Sequence, residues 1–323
     1  MESINPASDV LTDMLKFVCI SDTHGLTDPT CIPDGDVLLH AGDFTLRGTW
    51  KQVDEFNNFL GQLPHKWKVV IAGNHDICMQ SKKKLGPMVY SMLTRHMEAK
   101  GYKQCKDMLT NCIYLQDEIV DICGIKIYGS PWSIQYRGYD AFQLPEGDHM
   151  KMKWDKIPDD VDILMTHGPP YGICDITKRG LHAGCLDLLS SIQTRIKPKV
   201  HVFGHIHEGY GKYNNGVTEF INAAICTVNY RPTNKPFIFY MKIPKQREVT
   251  PHCSPVSITS EKREVTLNTK SSYCDTTCDS DLEDSTDATK DLTTFRPVLN
   301  DIHGERDLNP YDDICTGLLV TKL

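Results

Sequence analysis

Several things are missing from this 323-residue chain, and each absence removes a class of explanation. The opening MESINPASDVLTDM has neither a basic start nor an apolar stretch, so it does not read as an export signal. No uninterrupted apolar run approaches the ~18 residues that would suggest a membrane span, and the expectation is a cytoplasmic chain. A basic surface is lacking too. From residue 244 onward 9 Lys+Arg stand against 15 Asp+Glu, which leaves 26 against 27 before it. That nearly neutral body offers no stripe for duplex nucleic acid, so phosphate recognition must come from a local site. The 13 cysteines are an odd number, scattered without a framework and without a paired CxxC zinc pattern. Reduced thiols, several of them in the core, are expected.

What the chain does have is a series of short apolar runs that end abruptly in polar residues. Predicted strands cover 15–20, 36–40 and 68–72, with a helix between the last two. In that helix Thr49 stands at the N-cap, Val53, Phe56, Leu60 and Leu63 fall at helical spacing, and Pro64 follows. Strand, helix and strand in this order argue for parallel pairing. The spacing of Met88, Met92 and His96 predicts a second helix over 87–100, with the methionines filling core. Short strands at 113–115, 118–122 and 125–128, the last two a hairpin around Cys123-Gly124, break the alternation. A mixed sheet, or two sheets face to face, fits better than a doubly wound one. A long connection over 130–160 carries Trp132, Tyr136, Arg137, Tyr139, Phe142 and Trp154. Further strands are predicted at 162–166, 199–203, 217–222 and 236–243, and a helix at 186–196. Residues 1–14 read as a flexible leader, and 244–323 as an acidic, Ser/Thr-rich tail too poor in apolar residues to repay ordering. Such a tail is available to a protein partner.

The chemistry lies where the strands stop. Five runs deliver Asp22 and His24, then Asp43, then Asn74 and His75, then His167, then His205 and His207. Carboxylate, carboxamide and imidazole without thiolate suit a pair of divalent ions such as Mn, Fe, Zn or Mg better than a structural zinc. The spacing of two in Asp22/His24 and in His205/His207 puts each pair on one side of an extended segment.

In order and spelling these endings (Asp22-Thr23-His24, Gly42-Asp43, Gly73-Asn74-His75-Asp76, His167, Gly204-His205-Ile206-His207) resemble the calcineurin-like metallophosphoesterase superfamily. The stretches SDTHG, DVLLHAGDFT, IAGNHD and THGPP are most similar to its metallophosphoesterase-domain-containing branch, which is like the class III cyclic-nucleotide phosphodiesterases. The resemblance spans about 15–243 and implies an α/β fold, a four-layer α-β-β-α sandwich of two mixed sheets flanked by helices. It implies that Asp22, His24 and His207 hold one metal, that Asn74, His167 and His205 hold the other, and that Asp43 bridges them, with manganese the first candidate. It places His75 beside the leaving-group oxygen as a catalytic side chain, with Asp76 orienting it. The implied reaction is hydrolysis of a small phosphodiester or nucleotide by a hydroxide shared between the ions. The alternatives are a phosphomonoesterase or phosphoprotein phosphatase, and a metal-binding scaffold with vestigial activity.

Some residues depart from the family pattern or stand outside it. Phosphoprotein phosphatases read GDxxDRG at the second motif, and here Leu46 replaces the second Asp. This favours small diesters and leaves Arg47 either as a phosphate contact or as a solvated loop charge. Trp132 and Arg137 in the long connection are candidates to hold substrate, the aromatic residue by stacking a base. His40 reads as buried or supporting, His65 and His201 as structural, and His182 has no counterpart in the pattern.

Overall fold

The computed structural model describes residues 13–95, 97–136 and 140–244. The leader up to residue 12, His96, Arg137, Tyr139 and the acidic tail lie outside the described residues. One sheet runs parallel through β1 (Met14–Ile20), β2 (Val37–Ala41), β3 (Trp67–Ile71) and β4 (Ile113–Tyr114), and β13 (Phe237–Lys242) pairs antiparallel on the β1 edge. The second sheet is built alike. Its middle strands β6 (Ile125–Ser130), β9 (Ile163–Thr166), β10 (Val200–Phe203) and β12 (Glu219–Asn222) are parallel, and β5 (Glu118–Ile122) and β11 (Gly211–Asn214) close the edges antiparallel.

Strand side chains alternate between two environments, and this creates the layers. Phe17, Cys19, Leu39 and Val69 of the first sheet share one buried cluster with Ile127, Ile163, Met165 and Val202 of the second. Their neighbours Val18, Ile20, Leu38 and Val70 belong instead to a cluster with Val53, Phe56 and Leu60 of helix α1 (Trp50–Gln62). Leu164, Phe203 and Phe220 do the same on the second sheet, where Trp154 and Leu188 come from α4 (Asp148–Trp154) and α5 (Leu186–Ser191). Because both faces of the central strands are covered, their sequences are apolar runs without alternation. Full burial of one such aliphatic side chain contributes roughly 1.5–3 kcal/mol. An exposed ion pair such as Lys51 with Glu55 contributes about 0–1 kcal/mol, so apolar burial rather than charge holds the four layers together.

Local expectations fare unevenly. Thr49 caps α1, its side chain accepting from the Gln52 amide. The β5–β6 hairpin turns on Cys123 and Gly124 with φ of 54° and 84°. The helix expected over 87–100 is cut short: α3 covers only Pro87–Leu93, a 3-10 turn follows at Glu98–Lys100, and the short α2 (Lys82–Leu85) lies ahead of it. The methionine expectation is corrected: Met88 and Met92 are 81% and 59% exposed, and Leu93, Met97 and Met108 fill that part of the core instead. The long connection is folded into a small parallel ribbon of β7 (Ser133–Ile134) and β8 (Gln143–Leu144), followed by α4. Its pieces are too short for periodicity to show. Polar, mostly exposed β11 escapes a search for apolar runs for the same kind of reason.

Candidate metal centre

All five polar strand ends emerge at the carboxyl ends of parallel strands, three from the first sheet and two from the second. Four of the candidate ligands hold left-handed backbone: φ is 51° at Asp22, 46° at His24, 55° at Asp43 and 68° at His205. Conformations of this kind in non-glycine residues cost of order 1–3 kcal/mol each and persist where surrounding structure enforces them. Here the enforcement is visible. The Asp22 amide donates to Gly42 O at 2.9 Å and the His24 amide to Asp43 O at 3.0 Å. The Asp22 carboxylate accepts from the His205 amide at 3.0 Å, joining the first sheet to the second. His167 Nδ1 meets Ala41 O at 2.9 Å, a second cross-sheet bond.

That bond also settles a tautomer. A carbonyl oxygen only accepts, so Nδ1 of His167 carries a proton, and the same follows for His24 on Thr45 O at 3.3 Å and His207 on Thr227 O at 3.0 Å. Each ring is left to present Nε2 inward, the arrangement in which a carbonyl orients a metal-binding histidine. His24 Nε2 lies 3.2 Å from His207 Nε2, and His167 Nε2 lies 2.9 Å from Asn74 Oδ1. Neutral imidazoles would set lone pair against lone pair in the first contact and lone pair against carbonyl oxygen in the second. A cation at each place satisfies both. Ligand atoms of Asp22, His24 and His207 converge within 4.8 Å, as do those of Asp43, His167 and His205. Asp43 Oδ2 stands 3.3 Å from His167 Nε2 and 4.0 Å from His24 Nε2, between the groups. The donor set therefore fits two hard or borderline divalent ions.

Without metal, protons take those places. Burial alone would lower His167, but the Asp43 carboxylate beside it outweighs burial and raises it to about 9. His207 is likewise raised, against burial, by its bond to Asp22. Burial lowers His24 to about 3 and His205 to about 4. Burial opposes ionisation of Asp22 and Asp43, yet the adjacent imidazoles hold both below the usual carboxylate range. A metal must displace the protons on His167 and His207, so falling pH weakens binding. Apparent metal affinity is expected to rise between pH 7 and 9 by roughly tenfold per unit as the His167 proton is displaced, and to level off above about 9. Calorimetric titration in buffers of different ionisation enthalpy reads the proton count. A pH-independent affinity with no proton release would contradict this ligand set.

The GNHD turn departs from expectation at one residue. Asp76 does not touch the His75 ring. Its carboxylate accepts from the amides of Gly73 at 2.8 Å, Thr45 at 2.8 Å and Phe44 at 3.4 Å, and from the Thr45 hydroxyl at 2.7 Å. Four donors on one buried carboxylate tie the GNHD turn to the loop after Asp43. The His75 ring is instead oriented by Leu46, whose carbonyl takes the Nδ1 proton at 3.0 Å. The residue that removes the phosphatase-like Asp thus supplies, through its backbone, the bond that aims Nε2. The His75 amide donates to Asp43 Oδ1 at 2.8 Å, which turns Oδ2 toward the histidines. Glycine is required before Asn74 because an added Cβ would collide with Asp43 Oδ1 and His167 Cε1.

Other candidates settle according to burial. Trp132 is 6% exposed, its indole N–H donates to Asp117, Lys153 covers the ring at 3.7 Å and Phe142 meets it edge-on. It packs and does not offer a stacking face, which corrects its assignment to substrate. Arg47 is exposed, its amide on Gln52 Oε1. Arg137 lies outside the described residues. His40 is buried, with Nε2 3.0 Å from the Thr23 hydroxyl and Nδ1 accepting from the Gly42 amide, so it braces the loops bearing Asp22 and Asp43. His201 pairs with Thr166 at 2.8 Å inside the second sheet. His182 binds the buried Asp175 at 2.7 Å in the loop after His167. Two residues near the centre belong to no motif: Asp140, whose carboxylate accepts from Asn74 Nδ2 at 3.2 Å and so turns Oδ1 inward, and Tyr230, packed on His24. Each is joined to the motifs only through folding.

The pattern described as calcineurin-like phosphoesterase matches residues 15–209. Metallophosphoesterase domain-containing protein 1 of Homo sapiens is 46% identical over 235 residues, covering 71% of this chain and 72% of its own, and that of Mus musculus gives the same figures. A UPF0046 protein of Caenorhabditis elegans is 43% identical over 241 residues, covering 71% of this chain and 61% of its own.

Proposed function

This chain belongs to the calcineurin-like phosphoesterase family, which implies metal-dependent phosphoester hydrolysis, and from that premise we propose that it cleaves a small phosphodiester such as a cyclic nucleotide at a centre of two divalent ions, manganese first among them. The observation that carries this reading is the position of Asp43 between two inward-facing ligand groups. When bound, such a pair supplies an activated water and neutralises charge on the phosphoryl oxygens. The protein's own share is distinct. Asp22, His24 and His207 would hold one ion, and Asn74, His167 and His205 the other. His75 keeps its Nδ1 proton on Leu46 O and so offers Nε2 to the departing oxygen, where a proton or a charge-assisted hydrogen bond lowers the barrier. The pKa of His75 is raised, burial being outweighed by the Asp43 charge, which favours the proton-bearing form. Asp76 acts at a distance by holding the GNHD turn against Thr45.

A panel of 2′,3′- and 3′,5′-cyclic nucleotides, bis-p-nitrophenyl phosphate, phosphomonoesters and phosphopeptides on manganese-reconstituted protein tests the substrate class. Diesters are expected to turn over faster than monoesters and phosphopeptides. Faster cleavage of phosphopeptides would reject the diester reading.

No helix among the described residues is long and apolar enough to cross a membrane, and the nine described cysteines are free thiols. A cytoplasmic setting is part of the same proposal. The acidic composition of residues 244–323 supports a partner-binding role. A chain truncated after Ile243 is expected to keep full hydrolysis while losing partners captured by the full chain, and identical capture by both forms would remove that role.

A further inference from the structure

Tyr230 belongs to none of the five strand-end motifs, yet it stands against three imidazoles of the centre. Its ring centroid lies 4.9 Å from His24, 5.5 Å from His207 and 6.4 Å from His75, crossed at 65°, 75° and 64°. Its φ is 54°, a left-handed conformation that a bulky side chain adopts only at a cost. Asn229 beside it would tolerate that conformation at less cost. Tyr230 bears it instead.

The segment leading into the turn is held to the centre. Thr227 O accepts the Tyr230 amide at 2.8 Å and also His207 Nδ1 at 3.0 Å. The amides of Ile225 and Cys226 donate to Ser21 O at 2.8 Å and Asp22 O at 3.3 Å. A strained residue on so rigid a mount has its side chain placed before any ligand arrives. The ring stands nearer His24 and His207, which would hold an ion in the reading above, than His75, which would face the leaving group. A phenol is uncharged at neutral pH and has an O–H to donate.

We propose that Tyr230 is a substrate-binding residue whose hydroxyl donates a hydrogen bond to a non-bridging phosphoryl oxygen lying over His24 and His207. This rests on the phosphoester reading of the same site. Packing against the imidazoles alone would be served equally by phenylalanine, and that makes the two roles separable.

The test is Tyr230→Phe in the full chain loaded with manganese. A hydrogen bond to a charged oxygen predicts that kcat/KM falls by roughly 10- to 100-fold, and by a similar factor for bis-p-nitrophenyl phosphate and a cyclic nucleotide because the contact is to the group they share. Inorganic phosphate, titrated calorimetrically, is expected to bind about tenfold more weakly, while manganese content, metal affinity and thermal unfolding stay unchanged. Wild-type turnover and phosphate binding in the variant would overturn the proposal, as would loss of manganese, which would make Tyr230 a support for His24 and His207. Wild-type protein that binds phosphate but cleaves no ester would reject the enzymatic reading, with the phosphate titration still deciding on Tyr230. Wild-type protein that does neither would overturn both.

Discussion

Asp43→Asn is expected to reduce phosphodiester hydrolysis by roughly a thousandfold or more, the equivalent of about 4 kcal/mol at 1.36 kcal/mol per decade, and to lower bound manganese below two per chain. The substitution keeps size and shape and removes one charge. That charge lies 3.3 Å from His167 Nε2 and 4.0 Å from His24 Nε2, so it is the group in reach of both ligand sets. In a site shielded from water, ions held on either side of Asp43 as proposed would lose much of their attraction if the carboxylate became an amide. The other carboxylate oxygen also matters. Oδ1 accepts the His75 amide, and an amide flipped to present NH₂ there would push the GNHD turn away. Steady-state kinetics with bis-p-nitrophenyl phosphate and elemental analysis check both parts. A variant retaining two metals and wild-type turnover would show that Asp43 bridges nothing.

His75→Ala is expected to act differently, lowering kcat by roughly 10²- to 10³-fold with metal content unchanged. His75 is not in the two groups that would hold ions in this reading, and its Nδ1 bond to Leu46 O is shared with none of them, its one ring contact there being edge-on with His24 at 4.7 Å, and His24 keeps its own bond to Thr45 O. The defect should grow with the basicity of the leaving group. A p-nitrophenolate departs without protonation and suffers least, whereas a ribose alkoxide needs the proton most. Equal losses for both leaving groups would place His75 elsewhere in the mechanism, and loss of manganese would make it a ligand. Its ligand atom does lie within 4.8 Å of those of His24 and Asp43, so the metal measurement is decisive.

Much of this centre is legible in the residues themselves because its parts are local. DxH, GD, GNHD and GHxH are short words, each written where a buried apolar run stops, and the covered faces of a parallel strand make those runs easy to see. The capped helix α1 and the Cys123-Gly124 hairpin are readable for the same reason, since cap and turn chemistry acts within a few residues. Trp132 misled because an aromatic residue in a polar stretch looks like a ligand platform, and only folding shows that Lys153, Phe142 and Asp117 already occupy it. Met88 and Met92 misled because helical spacing describes a face without saying whether anything covers it.

Residue order by itself thus determined which side chains could hold two ions, on which strands they ride and to which family the chain belongs. Tertiary structure decided how they meet. It placed Asp43 between the two sets, gave the orientation of His75 to the Leu46 carbonyl and not to Asp76, turned Asn74 with Asp140, and set Tyr230 on its strained turn against His24. These contacts join residues 19 to 206 positions apart. A hydrogen bond or ring contact over that separation depends on how two sheets stack, and no local pattern of residues encodes it.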